Sequence, residues 1–122
     1  MASRRIMVVD DNEGFLDELE EILALSGYEV VRVDDVNQAL DTAYKTKPEV
    51  VLLDLKMPGK SGFQLAYEIK NFTELEHVPV LAMSAFFKDE YTTLMNMCGI
   101  KKCLRKPFNP LDVIMEIEKV LE

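Results

Sequence analysis

The stretch Glu49-Val50-Val51-Leu52-Leu53-Asp54 decides the fold that we predict for this chain. After its first residue the stretch is apolar up to Asp54, which is typical of a strand that is covered on both faces. Pro48 precedes it, and a turn-forming segment with Pro58-Gly59 follows it. A strand buried in this way predicts a parallel sheet with helices on both sides.

Short β-branched runs alternate with longer runs of helical period on both sides of this strand. Four further strands are predicted, at Arg5–Val9, Tyr28–Val33, Val78–Met83 and Lys102–Arg105. Five helices are predicted, from about Asn12 to Ser26, after Asp34 or Asp35, after Ser61, over Phe87–Cys98, and from Pro110 with Asn109 as its cap. This strict alternation predicts a doubly wound α/β fold and a single domain over residues 1–122.

The helical periods also predict which side chains face the sheet. In the first helix they are Phe15, Leu19, Ile22 and Leu23. In the fourth they are Leu94, Met97 and Cys98. In the last they are Leu111, Ile114, Met115 and either Ile117 or Val120.

Polar side chains follow four of the predicted strands, at the point where each strand ends. They are Asp10-Asp11, Asp54, Ser84 and Lys106-Pro107. Right-handed crossovers bring the carboxyl ends of parallel strands to one edge of the sheet, where doubly wound folds bind their ligands. Three carboxylates repel one another, so a divalent cation is their natural partner, and the hydroxyl and the ammonium suit a phosphoryl group. We expect Asp54, as the most exposed of the carboxylates, to be the acceptor.

Composition and charge exclude several classes of function. The chain has 122 residues and a formal net charge of −8, which argues against direct binding of nucleic acid or of an anionic membrane surface. Its apolar runs are too short to span a bilayer. Asp10 interrupts the first of them, so a signal peptide is not expected and the cytoplasm is the predicted location. Cys98 and Cys103 are expected to be reduced, and their spacing from His77 does not match a metal site.

The chain resembles a response regulator receiver domain of two-component signalling, the CheY-like family. The resemblance covers essentially the whole chain, and its four segments are highly specific when they occur together in this order. The segments are Val8-Val9-Asp10-Asp11-Asn12, Leu52-Leu53-Asp54 with the residues up to Gly62, Met83-Ser84-Ala85, and Arg105-Lys106-Pro107-Phe108. The resemblance implies a flavodoxin-like sheet with the strand order 2-1-3-4-5.

The resemblance also implies a reaction and its participants. A sensor histidine kinase or a phosphotransfer protein is expected to donate a phosphoryl group to Asp54 with the help of Mg²⁺. The implied metal ligands are Asp10, Asp11, Asp54 and the backbone carbonyl of Lys56. Ser84 and Lys106 are expected to contact phosphoryl oxygens. Phosphorylation would switch the surface around the fourth helix, fifth strand and fifth helix, and so control an output that the sequence does not name.

Such a protein is a signalling switch rather than an enzyme of metabolism, since it catalyses only its own phosphorylation and slow dephosphorylation. Three alternatives stay open from the residues. A phosphatase of the haloacid dehalogenase type would need a second Asp two residues after the nucleophile, where this chain has Lys56. A flavin binder of the flavodoxin type would meet repulsion from Asp10-Asp11. The full set of site residues argues against a receiver that only docks, but Cys103 leaves room for it, because the family often has an aromatic residue there.

Overall fold

The computed structural model describes residues 3–122, in which five strands and five helices alternate. The strands are β1 (Arg5–Val9), β2 (Glu29–Val33), β3 (Val50–Asp54), β4 (Val80–Ser84) and β5 (Ile100–Arg105). The helices are α1 (Glu13–Leu25), α2 (Val36–Thr46), α3 (Gly62–Lys70), α4 (Tyr91–Met97) and α5 (Pro110–Leu121). All strand pairs are parallel, and the sheet order is β2-β1-β3-β4-β5. The predicted fold class and strand order are therefore confirmed.

The strand β3 lies at the centre of the sheet, between β1 and β4, and all of its residues are buried. Its side chains alternate between two apolar clusters, as the pleat of a strand requires. Val51 and Leu53 belong to the cluster under α2, α3 and α4, whereas Val50 and Leu52 belong to the cluster under α1 and α5. Because β3 is buried on both faces, Asp54, its last residue, is held in a fixed position at the carboxyl edge of the sheet.

Four of the five helices begin at a side chain that accepts a backbone hydrogen bond, and the sequence predicts three of these caps. These caps are Asn12, Asp35, Ser61 and Asn109. Asp35 rather than Asp34 therefore caps α2. Asn12, rather than Asp10 or Asp11, caps α1 by accepting the backbone N–H of Phe15.

The fourth helix differs from the prediction in its start and in its inner face. It begins at Tyr91 rather than Phe87, since the preceding residues form turns: the N–H of Phe86 donates to the hydroxyl oxygen of Ser84, and the N–H of Tyr91 donates to the carbonyl of Lys88. The side chains of this segment that pack on the core are Tyr91, Met95 and Cys98. Leu94 and Met97, which we expected to face inward, are 40% and 64% exposed.

The inner faces of α1 and α5 also differ from the prediction. In α5, Val113, Glu116 and Ile117 are buried, whereas Leu111 and Met115 are largely exposed. In α1 the fully buried side chains are Leu16, Leu19 and Leu23, while Phe15 and Ile22 are partly exposed. Both helices carry apolar residues on more than half of their circumference, so their sequence period does not settle which stripe packs on the sheet.

Among residues 3–122, no helix combines the length and the apolar composition that crossing a bilayer requires. The cytoplasmic location stays a prediction.

Candidate functional site

The ends of β1, β3 and β4 and the loop after β5 meet at one edge of the sheet. Asp10 follows β1, Asp54 and Ser84 end their strands, and Lys106 follows β5. The Nζ of Lys106 lies 2.6 Å from Oδ2 of Asp10 and 3.9 Å from Oδ2 of Asp54. The backbone N–H of Lys106 donates to the carbonyl of Ser84 at 2.8 Å, which ties the loop to β4, and the Lys106-Pro107 peptide bond is cis. The parallel sheet thus brings together the polar groups that the sequence analysis selected.

Three carboxylates form the acidic part of the site. One oxygen from each of Asp10, Asp11 and Asp54 lies within 4.8 Å of the other two. Asp10 is 1% exposed, and its Oδ1 accepts a hydrogen bond from the N–H of Asn12 at 2.9 Å. Asp11 is exposed at the mouth of the site. Convergent carboxylate oxygens with access to water are the donor set that suits Mg²⁺, so the residues fit the cation that the resemblance implies.

Asp54 is not the most exposed of these carboxylates, and that expectation was wrong. Asp54 is 9% exposed, whereas Asp11 is classed among the exposed residues. The reason is position, because Asp54 still belongs to the central strand and has strands on both sides, while Asp11 lies in the loop before α1.

Ser84 and Lys56 flank Asp54 from two neighbouring elements. Ser84 is buried, and its hydroxyl oxygen accepts the N–H of Phe86 at 3.1 Å. The N–H of Lys56 makes a long contact of 3.4 Å to Oδ1 of Asp54. The Nζ of Lys56 lies 5.6 Å from the ring centre of Phe86, so these two side chains lie next to each other. The role of the Lys56 carbonyl as a metal ligand stays a prediction.

Comparison with known proteins assigns the family. The family model described as the response regulator receiver domain matches residues 6–118. The chain belongs to this family. The receiver is 30% identical over 118 residues to the polar-differentiation response regulator DivK of Brucella anthropi, covering 97% of this chain and 96% of that one. It is 29% identical over 119 residues to DivK of Brucella ovis, with 98% and 97% of the two chains covered.

Solved structures agree with this assignment. The chemotaxis protein CheY4 of Vibrio cholerae superposes on the receiver with a TM-score of 0.93 at 26% identity, over 98% of this chain and 99% of the other. A CheY-like receiver domain protein of Methanospirillum hungatei superposes with a TM-score of 0.90 at 25% identity, over 98% and 94% of the two chains. The CheY-like fold and the role in two-component phosphorelay signalling therefore apply to the receiver.

The electrostatics of the receiver site disfavour the ionised form of Asp54 when no cation is bound. Burial raises the pKa of the Asp54 carboxyl above its ordinary value, and the nearby charges of Asp10 and Asp11 raise it further. The ammonium of Lys106 and the backbone N–H of Lys56 lower the same pKa, and burial outweighs them. An ionised Asp54 is thus a source of instability that a cation would relieve.

The raised pKa of Asp54 predicts that replacing Asp54 by Asn stabilises the protein by an amount that depends on pH. A raised folded-state pKa means that the Asp54 contribution is fully present below the ordinary Asp pKa of about 4 and is lost as the pH rises through the folded value. We therefore expect Asp54→Asn to raise the free energy of unfolding of the metal-free protein at pH 7, with a gain that shrinks towards pH 4. Urea denaturation in EDTA across this range measures it. Asp41→Asn, at a largely exposed carboxylate, is the control, and a gain independent of pH would contradict the prediction.

Two residues at the receiver site escaped the sequence analysis. Phe15 was assigned to the core, but its ring centre lies 4.0 Å from the Nζ of Lys106. Its place one turn after Asp11 is the signal that could have selected it. Gly62 was not singled out, yet a Cβ there would lie 2.2 Å from the carbonyl oxygen of Asp54. Only the folded packing of α3 against the end of β3 reveals that contact.

Proposed function

We propose that the receiver accepts a phosphoryl group on Asp54, in a Mg²⁺-dependent transfer from the phosphohistidine of a sensor histidine kinase or a phosphotransfer protein. The observation that carries this proposal is the convergence of the carboxylates of Asp10, Asp11 and Asp54 within 4.8 Å, with the Lys106 ammonium 3.9 Å from Asp54. We also propose that residues 1–122 act as one domain, since the family model spans residues 6–118.

Asp54 is the best acceptor of the three carboxylates for two reasons. The central strand holds it in a fixed position, and its oxygens make fewer close contacts than those of Asp10. Asp10 holds Asn12 with one oxygen and Lys106 with the other. Asp11 lies exposed in the loop before α1. In the transfer, an oxygen of Asp54 forms a bond to phosphorus while the bond between phosphorus and the histidine nitrogen of the donor breaks, and the electron pair leaves with that nitrogen.

The remaining residues position the phosphoryl group and balance its charge. Asp10, Asp11 and the Lys56 carbonyl would hold Mg²⁺, which when bound neutralises charge on the phosphoryl oxygens. The Lys106 ammonium can leave Asp10 for a phosphoryl oxygen, because it already lies 3.9 Å from Asp54. Ser84 can donate its hydroxyl proton to another oxygen while it still accepts the N–H of Phe86. Positioning and charge thus account for the catalysis.

The same Ser84 contact gives the phosphoryl group a route to the surface of α4, β5 and α5. Phe87 follows Phe86, whose N–H bonds to Ser84. The guanidinium of Arg105 lies 4.8 Å from the ring centre of Phe87, and the same ring packs against Tyr91 of α4. Cys103 is half-buried and, like Phe87 and Tyr91, packs against the apolar cluster under α2, α3 and α4. Many receivers have an aromatic residue at the position of Cys103. We propose that phosphorylation shifts the equilibrium between two arrangements of this loop. An output domain or a separate target protein would read the change, and direct binding of nucleic acid by this acidic chain is not proposed.

Intact mass after incubation with acetyl phosphate and Mg²⁺ tests the proposed function. We expect one added phosphate on the wild-type protein, and none on Asp54→Asn or in the presence of EDTA. Asp41→Asn, which removes an exposed carboxylate of α2 that is not one of the three clustered carboxylates, should still take up phosphate.

Phosphate on Asp54→Asn would refute Asp54 as the acceptor. No phosphate on any sample, together with no binding of beryllofluoride to the wild-type protein, would leave a receiver that acts by docking alone. Binding of beryllofluoride without uptake from acetyl phosphate would mean that the site is competent and accepts only from its kinase.

A further inference from the structure

The ammonium of Lys106 is held between carboxylates on one side and an aromatic ring on the other. Its Nζ lies 2.6 Å from Oδ2 of Asp10 and 4.0 Å from the ring centre of Phe15. The lysine side chain is 19% exposed. Phe108 meets the Phe15 ring edge-on, with the ring centres 5.8 Å apart and an interplanar angle of 80°. Phe15 thus packs edge-on against one ring and has one cation within its reach.

The ring and the carboxylate attract the ammonium in different ways. The face of an aromatic ring attracts a cation through its quadrupole, and more strongly where water is partly excluded. This attraction involves no net charge on the ring, so it persists when the carboxylate of Asp10 is engaged elsewhere. The attraction to Asp10, by contrast, weakens once a divalent cation shares that carboxylate. Phe15 is therefore the partner that stays with Lys106 throughout the proposed reaction.

We propose that Phe15 is a positioning residue that keeps the ammonium of Lys106 at the mouth of the site, ready to meet the phosphoryl group. The proposal rests on the function proposed above, in which Lys106 balances phosphoryl charge. Phe15 acts through Lys106 and touches neither the phosphoryl group nor the acceptor. An aliphatic side chain of similar size would fill the same space and leave the ammonium without this partner.

The rate of phosphorylation by acetyl phosphate and Mg²⁺ tests the role of the ring. Phe15→Leu is expected to slow it about threefold to tenfold, the range that loss of one partly desolvated cation–π contact gives. Phe15→Met, which has about the volume of Leu in an unbranched and more flexible side chain, should be slowed equally, and Phe15→Tyr should keep the wild-type rate. Phe108→Leu removes the other ring of the pair and keeps the Phe15 ring under the ammonium. We expect its phosphorylation rate to stay within about twofold of wild type.

A second readout does not depend on phosphorylation. In the metal-free protein, the Hε protons of Lys106 next to the Phe15 ring should show an upfield ring-current shift in the NMR spectrum. The shift should vanish in Phe15→Leu and Phe15→Met and persist in Phe15→Tyr and Phe108→Leu. If the wild-type protein neither takes up phosphate nor binds beryllofluoride, the proposed function fails while this spectrum still tests the contact. A Met variant as fast as wild type, a Phe108→Leu variant as slow as Phe15→Leu, or an absent wild-type shift would each overturn the inference.

Discussion

Replacement of Lys106 by Met is expected to lower the free energy of unfolding of the metal-free protein by about 3 kcal/mol. The lysine is the charged partner of Asp10, which is 1% exposed and lies 2.6 Å from its Nζ. Without this lysine, the carboxylate of Asp10 keeps only the N–H of Asn12 as a hydrogen-bond partner within residues 3–122. A buried carboxylate then lacks its compensating charge. Urea denaturation at pH 7 in EDTA measures the loss.

Lys60 provides a matched control for this experiment. Its Nζ lies 2.7 Å from Glu68, and its side chain is 21% exposed, close to the 19% of Lys106. Glu68, however, is 27% exposed, so Lys60→Met should cost less than about 1 kcal/mol. Mg²⁺ should restore more stability to Lys106→Met than to Lys60→Met, because a cation at the acidic site would take over Asp10. Equal losses in the two variants would show that burial of the acid is unimportant, and no response to Mg²⁺ would count against the metal site.

Replacement of Gly62 by Ala is expected to destabilise the protein by about 3 kcal/mol or more and to slow phosphorylation of Asp54. The added Cβ would lie 2.2 Å from the carbonyl oxygen of Asp54 and 2.8 Å from Cα of Leu55. Both are backbone atoms, so the clash is relieved only if α3 moves away from the end of β3. That movement would displace the acceptor. Urea denaturation and the rate of phosphate uptake from acetyl phosphate give the two effects.

The control for this variant is Gly14→Ala in the first turn of α1. The nearest atom to its added Cβ is the side-chain Oδ1 of Asn12 at 3.4 Å, an ordinary contact. Alanine favours a helix over glycine, so we expect a gain of about 0.5 kcal/mol and an unchanged rate. A Gly62→Ala protein as stable as the Gly14→Ala protein would refute the close approach of α3 to β3.

The sequence was sufficient for the features that follow from strand order. Asp10, Asp54, Ser84 and Lys106 could be placed at one edge because each comes at or just after the end of a strand, and parallel strands end together. Such reasoning needs only local patterns and the handedness of crossovers. The resemblance to receivers then supplied the roles that geometry alone leaves open.

Features that depend on packing could not be predicted in the same way. The late start of α4 follows from turns in the preceding loop, where the N–H of Phe86 bonds to the hydroxyl of Ser84 and the N–H of Tyr91 bonds to the carbonyl of Lys88. The outward direction of Leu111 and Met115 depends on how α5 lies on the sheet. The contact between Phe15 and Lys106 joins residues that are 91 positions apart (106 − 15), which no local pattern encodes.

The central position of β3 has a consequence for local unfolding. An amide in the middle of a strand that is paired on both sides exchanges with solvent only when much of the domain opens, whereas a short helix opens by itself. Asp54 ends such a strand, while α4 has seven residues and follows an irregular loop. The receiver therefore places the proposed acceptor at the end of a strand that opens only with much of the domain, beside a segment of lower local stability. In the proposed switch, phosphorylation of Asp54 would change the opening of that segment without disturbing the sheet.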